Sequence, residues 1–344
     1  MSINKRLIKS NEGGGDIQFN AITYTGTASS GGQQDSITGV GFQPDFVYIK
    51  SRNFSFYSRE VSTVMDAGFM STFGDISPIC ATDGPDFVSY DSDGFTVQKA
   101  GNQLNDNGKT YVAYCWKLGG SPISNPFGTL TSTISANPDY GISAVRYTGN
   151  ETNGATFGHG LNQAPEFIIG KSYGQCSPSY IFQGAYSWSS VFPTTNIGYV
   201  SGNNAWWLQT YVSSVNSSTV QLDNSTAFNR SLENLAYCFH SVEGFSKFGY
   251  YTGNGNLFTV DLGFKPALVV IKRIDSTNTA NWFVYDKNRA GSFGQATLMM
   301  DRDTSENTNP SAQVLFLSNG FRAYANAVNS NTNFFYMAFA DQFA

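Results

Sequence analysis

Three short landmarks recur three times in one order along this chain, and that repetition limits the available folds more than any other feature. The tripeptide Tyr-Thr-Gly stands at Tyr24–Gly26, Tyr147–Gly149 and Tyr251–Gly253. Each is followed by a glycine turn closed by proline and an apolar run ending in lysine: GFQPDFVYIK (Gly41–Lys50), GLNQAPEFIIGK (Gly160–Lys171) and GFKPALVVIK (Gly263–Lys272). Each copy then closes on an aromatic segment: YVAYCWK (Tyr111–Lys117), NLAYCFH (Asn234–His240) and FYMAFAD (Phe335–Asp341). A proline at the first position of a strand gives up no ladder hydrogen bond. Leu268–Ile271 is apolar at every position, the pattern of a strand covered on both faces. Asp93-Gly94 and Asn319-Gly320 read as tight turns that open further strands, and a short helical turn is expected only around Glu60–Met65.

Composition agrees with short strands and polar turns. Aromatic residues make up 15% of the chain and charged residues only 13%, beside 35 glycines; ordinary domains carry about 25% charged residues. A length of 344 residues suits three β domains, each large enough to bury its own core. The expected fold is therefore all-β, with three tandem antiparallel β-sandwich domains of jelly-roll or lectin-like type at residues 17–118, 140–243 and 244–344. Residues 1–16 read as an amino-terminal docking arm with a Gly13-Gly14-Gly15 hinge, and residues 119–139 as a linker. That spacing leaves the first copy freer than the other two, which follow one another directly.

Several functions are excluded on the same grounds. A net charge of −5, with no basic run longer than Lys5-Arg6, does not suit nucleic acid. No apolar stretch approaches the ~20 residues needed for membrane insertion. Met1–Asn11 has no apolar core of a signal peptide, so folding is expected in the cytoplasm that made the chain. Cys115 and Cys238 occupy one position in two copies, so Cys80, Cys115, Cys176 and Cys238 read as buried free thiols rather than bridges. No Cys-x-x-Cys pair marks a metal site. His159 sits in a glycine turn, and His240 stands where the other copies have Lys117 and Asp341; neither completes a catalytic triad. Asp91/Asp93, Asp301/Asp303 and Asp83/Asp86 are the carboxylate pairs that glycan hydrolysis could use; Asp91 and Asp93 belong to a turn, and no such chemistry is expected. No catalytic residue, metal or cofactor is expected.

Taken together, the segments resemble a domain family common in tailed bacteriophages, marine ones especially, whose members are described as tail-fibre-like or virion structural proteins. The resemblance is carried by GFQPDFVYIK, Asp91–Val97, YVAYCWKLGG (Tyr111–Gly120), SNPFGTLTSTISANPDYG (Ser124–Gly141), GHGLNQAPEFIIGK, AYCFHSVEGFSKFGYYTGNG (Ala236–Gly255), LSNGFRAY (Leu317–Tyr324) and FYMAFAD. It implies a concanavalin- or lectin-like β-sandwich in a virion appendage, and it brings no catalytic residues. The expected function is a non-enzymatic virion structural protein, a tail fibre or fibre-like appendage assembled on the particle and contacting the host surface. The alternatives are a capsid decoration or head-fibre protein and a glycan-binding host-recognition module. Expected partners are tail or capsid subunits, further copies of the chain in a homo-oligomer, and a host-surface glycan. Lys5, Arg6 and Lys9 are the candidate virion-docking residues. Trp206, Trp207 and Trp282 are the candidate glycan or subunit contacts, because adjacent tryptophans on a strand face opposite sides.

Overall fold

The structure is a computed structural model that describes residues 17–66, 86–101, 103–172, 180–183, 196–199, 207–208, 211–223, 228–274, 281–289, 296–308, 313–324 and 326–343. The first segment holds β1 (Phe19–Thr25), β2 (Gln34–Thr38), β3 (Phe46–Ser51), β4 (Arg59–Ser62), β5 (Phe87–Asp91), β6 (Gly94–Gln98) and β7 (Thr110–Trp116). The second begins with β8 (Ile123–Asn125), β9 (Ser132–Asn137), β10 (Ile142–Thr148), β11 (Thr156–Gly158), β12 (Phe167–Ser172) and β13 (Tyr180–Gln183). It continues through β14 (Asn196–Tyr199), β15 (Trp207–Leu208), β16 (Val212–Val215), β17 (Thr219–Leu222) and β18 (Glu233–Phe239). The third holds β19 (Ser246–Thr252), β20 (Phe258–Asp261), β21 (Pro266–Arg273), β22 (Trp282–Asp286), β23 (Ala296–Met299), β24 (Asn307–Thr308), β25 (Val314–Leu317), β26 (Gly320–Ala323) and β27 (Asn333–Ala340). One helical turn, α1 (Asn326–Asn329), precedes β27. The fold is all-β, built from several antiparallel sheets. The helical turn expected at Glu60–Met65 is corrected: Arg59–Ser62 is a strand, with Val61 paired to Val47, so the ladder outweighs a weak local preference.

One strand order occurs three times: β1-β7-β3-β4, β10-β18-β12-β13 and β19-β27-β21-β22. Register recurs with it. Phe46 lies opposite Trp116, Phe167 opposite Phe239 and Leu268 opposite Phe339. The turn before each proline begins at Gly41, Gly160 or Gly263, all with φ between 72° and 88°, a conformation that L side chains resist.

Side chains alternate along these strands, and the two faces have different destinations. On one face, Val47, Ile49, Ala113 and Cys115 pack against Ile37, Phe95 and Val97 of the three-stranded sheet β2-β6-β5. Sheets β11-β17-β16 and β20-β26-β25 cover the second and third segments in the same way, which makes each arrangement β-sandwich-like. The opposite faces of all three segments meet in one central cluster. Phe19 stacks on Phe339 at 5.1 Å, Phe46 on Tyr237 at 4.4 Å and Phe167 on Phe335 at 4.8 Å between ring centroids. These three contacts join first to third, first to second and second to third, so the segments close into a ring. A buried Phe stabilises by about 1.5–3 kcal/mol, so this layer outweighs any freedom that a loose connection would give.

Two expectations from the connecting residues are therefore corrected. Residues 119–139 are not a free linker: β8 and β9 extend the second sheet, with β9 paired to β10 and β8 to β9. Ile134 and Leu130 are buried in the second segment's core, which anchors this edge. The first segment is also no freer than the others, since its inner face is part of the common cluster.

Candidate functional site

The lysine that ends each apolar run projects to the central side of its sheet, two residues beyond Tyr48, Ile169 and Val270. All three are buried: Lys50 and Lys272 at 1% and 0% exposure, Lys171 at 3%. Lys171 pairs with Glu60 of the first segment. Lys50 donates to the Phe56 carbonyl at 2.5 Å and reaches the Thr304 carbonyl of the third segment at 3.1 Å. Lys272 lies 5.7 Å from the ring of Trp282 and near the buried Asp301. Desolvation lowers Lys50 to about 7 and Lys272 to about 8, and raises Asp301 to about 6. Perturbed pairs of this kind often mark active sites. Here the groups are buried, with Lys50 and Lys171 at seams between segments and Lys272 beside Asp301 in the third.

Other polar contacts seal the same seams. Tyr114 donates to Asp286 at 2.7 Å, and Arg289 binds both. Tyr237 donates to Ser62 at 3.2 Å; Phe46 pairs with Ser62 as Leu268 pairs with Asp286, so the two tyrosines use equivalent places. Arg52–Glu306 and Arg146–Asp66 close the rims at 2.7 and 2.5 Å.

A second recurring device holds the Tyr-Thr-Gly landmark. Tyr24, Tyr147 and Tyr251 donate to the carbonyls of Leu104, Phe228 and Val328. The next residue each time is a buried asparagine, Asn105, Asn229 or Asn329, whose Oδ1 accepts the backbone N–H of Thr27, Asn150 or Asn254. The glycine between must lack a side chain: a Cβ would come within 2.5 Å of Asp106 O at Gly26, and within 2.1 Å of Arg230 O at Gly149 and Ser330 O at Gly253. The apolar-Asn pairs Leu104-Asn105, Phe228-Asn229 and Val328-Asn329 are the sequence signal that could have revealed this clasp.

A concavity among the described residues is open to solvent. A cleft of about 630 Å³ lies where the Gly41–Asp45 turn, the residues after β7 and the end of β9 converge. Asp45 is only 5% exposed; its Oδ2 accepts the N–H groups of Leu118 and Gly120 at 2.8 and 3.1 Å. Oδ1 takes no hydrogen bond from the described residues, and Asp45 is among the residues that line the cleft. Lys117, Ser92, Gln43 and Asn137 supply further polar lining, and Phe42 and Leu118 an apolar part.

Of the sequence-predicted contact residues, Trp207 and Trp282 fall within the described residues. Lys5, Arg6, Lys9 and Trp206 lie outside the described residues. Trp207 is on β15, opposite Ile197. Trp282 is corrected as a glycan platform: it is 1% exposed in the central cluster, 6.0 Å from Phe335. Cys115 and Cys238 are free and buried, while Cys80 and Cys176 lie outside the described residues. His159 is held by Asn216 O at 3.0 Å and lowered by burial to about 4. Asp91 accepts from Ser89 and Thr96, each at 2.7 Å, and Asp93 binds the N–H groups of Gly39 and Gly41.

A family model described as a domain of unknown function (DUF7483) matches residues 15–342. The chain belongs to this family. The DUF7483 unit thus spans all three segments of the ring and includes the cleft. No curated protein and no solved structure matches the chain.

Proposed function

We propose that this DUF7483 protein is a non-enzymatic structural protein of a bacteriophage virion, made of three tandem jelly-roll or lectin-like β-sandwich domains and carried as a fibre-like appendage that meets the host surface. The observation that carries the reading is where the reactive side chains are. Lys171 and Glu60 are buried where the second segment meets the first and Lys50 where the first meets the third, while Lys272 and Asp301 are buried together in the third. A protein that works by position and contact needs the rigidity of such an interior.

A second reading, a capsid decoration or head-fibre protein, is favoured by one contact. Gln342 accepts the N–H groups of Gln18 and Phe19 at 2.8 and 2.9 Å, so the two ends of the described chain lie side by side. That suits a knob or a surface lobe better than a length of shaft, whose chain would enter and leave at opposite ends. Quantitative mass spectrometry of purified particles tests both readings. Many copies per virion are expected, in the tail fraction for the first reading and the capsid fraction for the second. Absence from particles, or hydrolysis of host-surface polymers that one carboxylate replacement abolishes, would overturn them.

A further inference from the structure

We infer that the cleft beside β9 takes a neutral sugar, a single residue of a larger glycan, with Asp45 accepting a hydrogen bond from one of its hydroxyls. The inference rests on the reading that this body meets the host surface. At about 630 Å³ the cleft falls within the ordinary range for small ligands, roughly 300–1,000 Å³. Asp45 is already fixed through Oδ2 by Leu118 and Gly120, so its Oδ1 is a preorganised acceptor that loses little freedom on binding. Lys117 in the same wall offers a donor of opposite charge, and its field acts on Asp45. One carboxylate balanced by one ammonium selects a ligand that is polar and uncharged. Ser92 and Asn137 add hydrogen-bonding groups.

The fold does not require this carboxylate. The residue after the turn proline is Asp45 in the first segment, Glu166 in the second and Ala267 in the third, and the following strand forms in all three. Glu166 spends its Oε2 on the backbone N–H and hydroxyl of Ser241. Only the first segment sets the acid beside a cleft walled by β9, because β8 and β9 have no counterpart before β1 or β19 among the described residues.

The test is amide-shift mapping of the ¹⁵N-labelled full chain with methyl glycosides of glucose, galactose, mannose and N-acetylglucosamine. Saturable shifts at Gly119 and Gly120 are expected with at least one of them. Lys117→Ala and Asp45→Asn should each weaken that binding by about tenfold, the effect of losing one charge-assisted hydrogen bond. Lys117 is part-exposed, so its replacement keeps the test meaningful should Asp45→Asn unfold. No shift with any of the four glycosides, or shifts confined to residues away from the cleft, would overturn the sugar site. Particle composition, measured separately, would still decide whether the protein belongs to the virion.

Discussion

Lys171 and Glu60 form an ion pair closed off from solvent, the lysine on β12 in the second segment and the glutamate on β4 in the first. Desolvation pulls the Lys171 amine below its usual pKa, and the Glu60 carboxylate opposes that shift. Removing one partner of such a pair costs about 3–5 kcal/mol, because the other is left charged and buried. Glu60→Gln and Lys171→Met should each lower the urea midpoint sharply, and the double variant Glu60→Leu/Lys171→Met should recover most of the loss. Strictly additive losses in the double variant would show that the two groups do not interact.

Stability should rise with pH between about 7 and 9. Burial lowers Lys50 to about 7 and Lys272 to about 8, from 10.5. Above those values the unfolded chain binds protons that the folded chain does not, so raising the pH favours the fold. Above about 9 the rise should flatten, because the thiols of Cys115 and Cys238 are raised by burial, ionise only when the chain unfolds, and so offset the lysines. Thermal melts at pH 7, 8 and 9 check the sign, and Lys50→Met should flatten the rise. A fall in stability from pH 7 to 8.5 would refute the assignment.

The tyrosine–asparagine clasp should be costly to break. Asn229→Ala removes an acceptor from Asn150 N and donors to Thr152 O and Asp223 O, all at 3.0 Å or less. A loss on the order of 3 kcal/mol is expected from leaving those groups unmatched. Tyr147→Phe should cost less, about 1 kcal/mol, since it removes one bond and keeps the ring stacked on Phe157. Denaturant titration of the two variants would expose an inverted order.

Cys115 and Cys238 should be inert in the native protein. Both sit at 0% exposure with their thiols raised by desolvation, and the thiolate is the reactive form. Iodoacetamide at pH 8 should leave both unlabelled until urea is added, as peptide mass spectrometry would report. Labelling of either without denaturant would contradict this placement.

The strands were legible where the signal is local. Proline turns and unbroken apolar runs mark β3, β12 and β21 directly, since both faces of those strands are covered. The β9 edge was misread because it is polar in sequence: half of Ser132–Asn137 is only part-buried, and such a strand resembles a linker. Trp282 was misread for the opposite reason. A tryptophan's exposure depends on what covers it, and Phe335 and Lys272 arrive from other strands. The cleft was invisible from composition, because the Asp45 turn and Asn137 come together only when β9 folds back.

The shared aromatic cluster also governs how such a chain can evolve. In a stacked repeat array, units can be gained or lost at an end, because each touches only its neighbours. Here the stacking of Phe19 on Phe339 joins the first segment to the last, so neither is an end. Deleting one segment would leave two aromatic faces in water, and a fourth would find no vacant seat. Losing or gaining a segment would therefore break this cluster rather than shorten or lengthen an array.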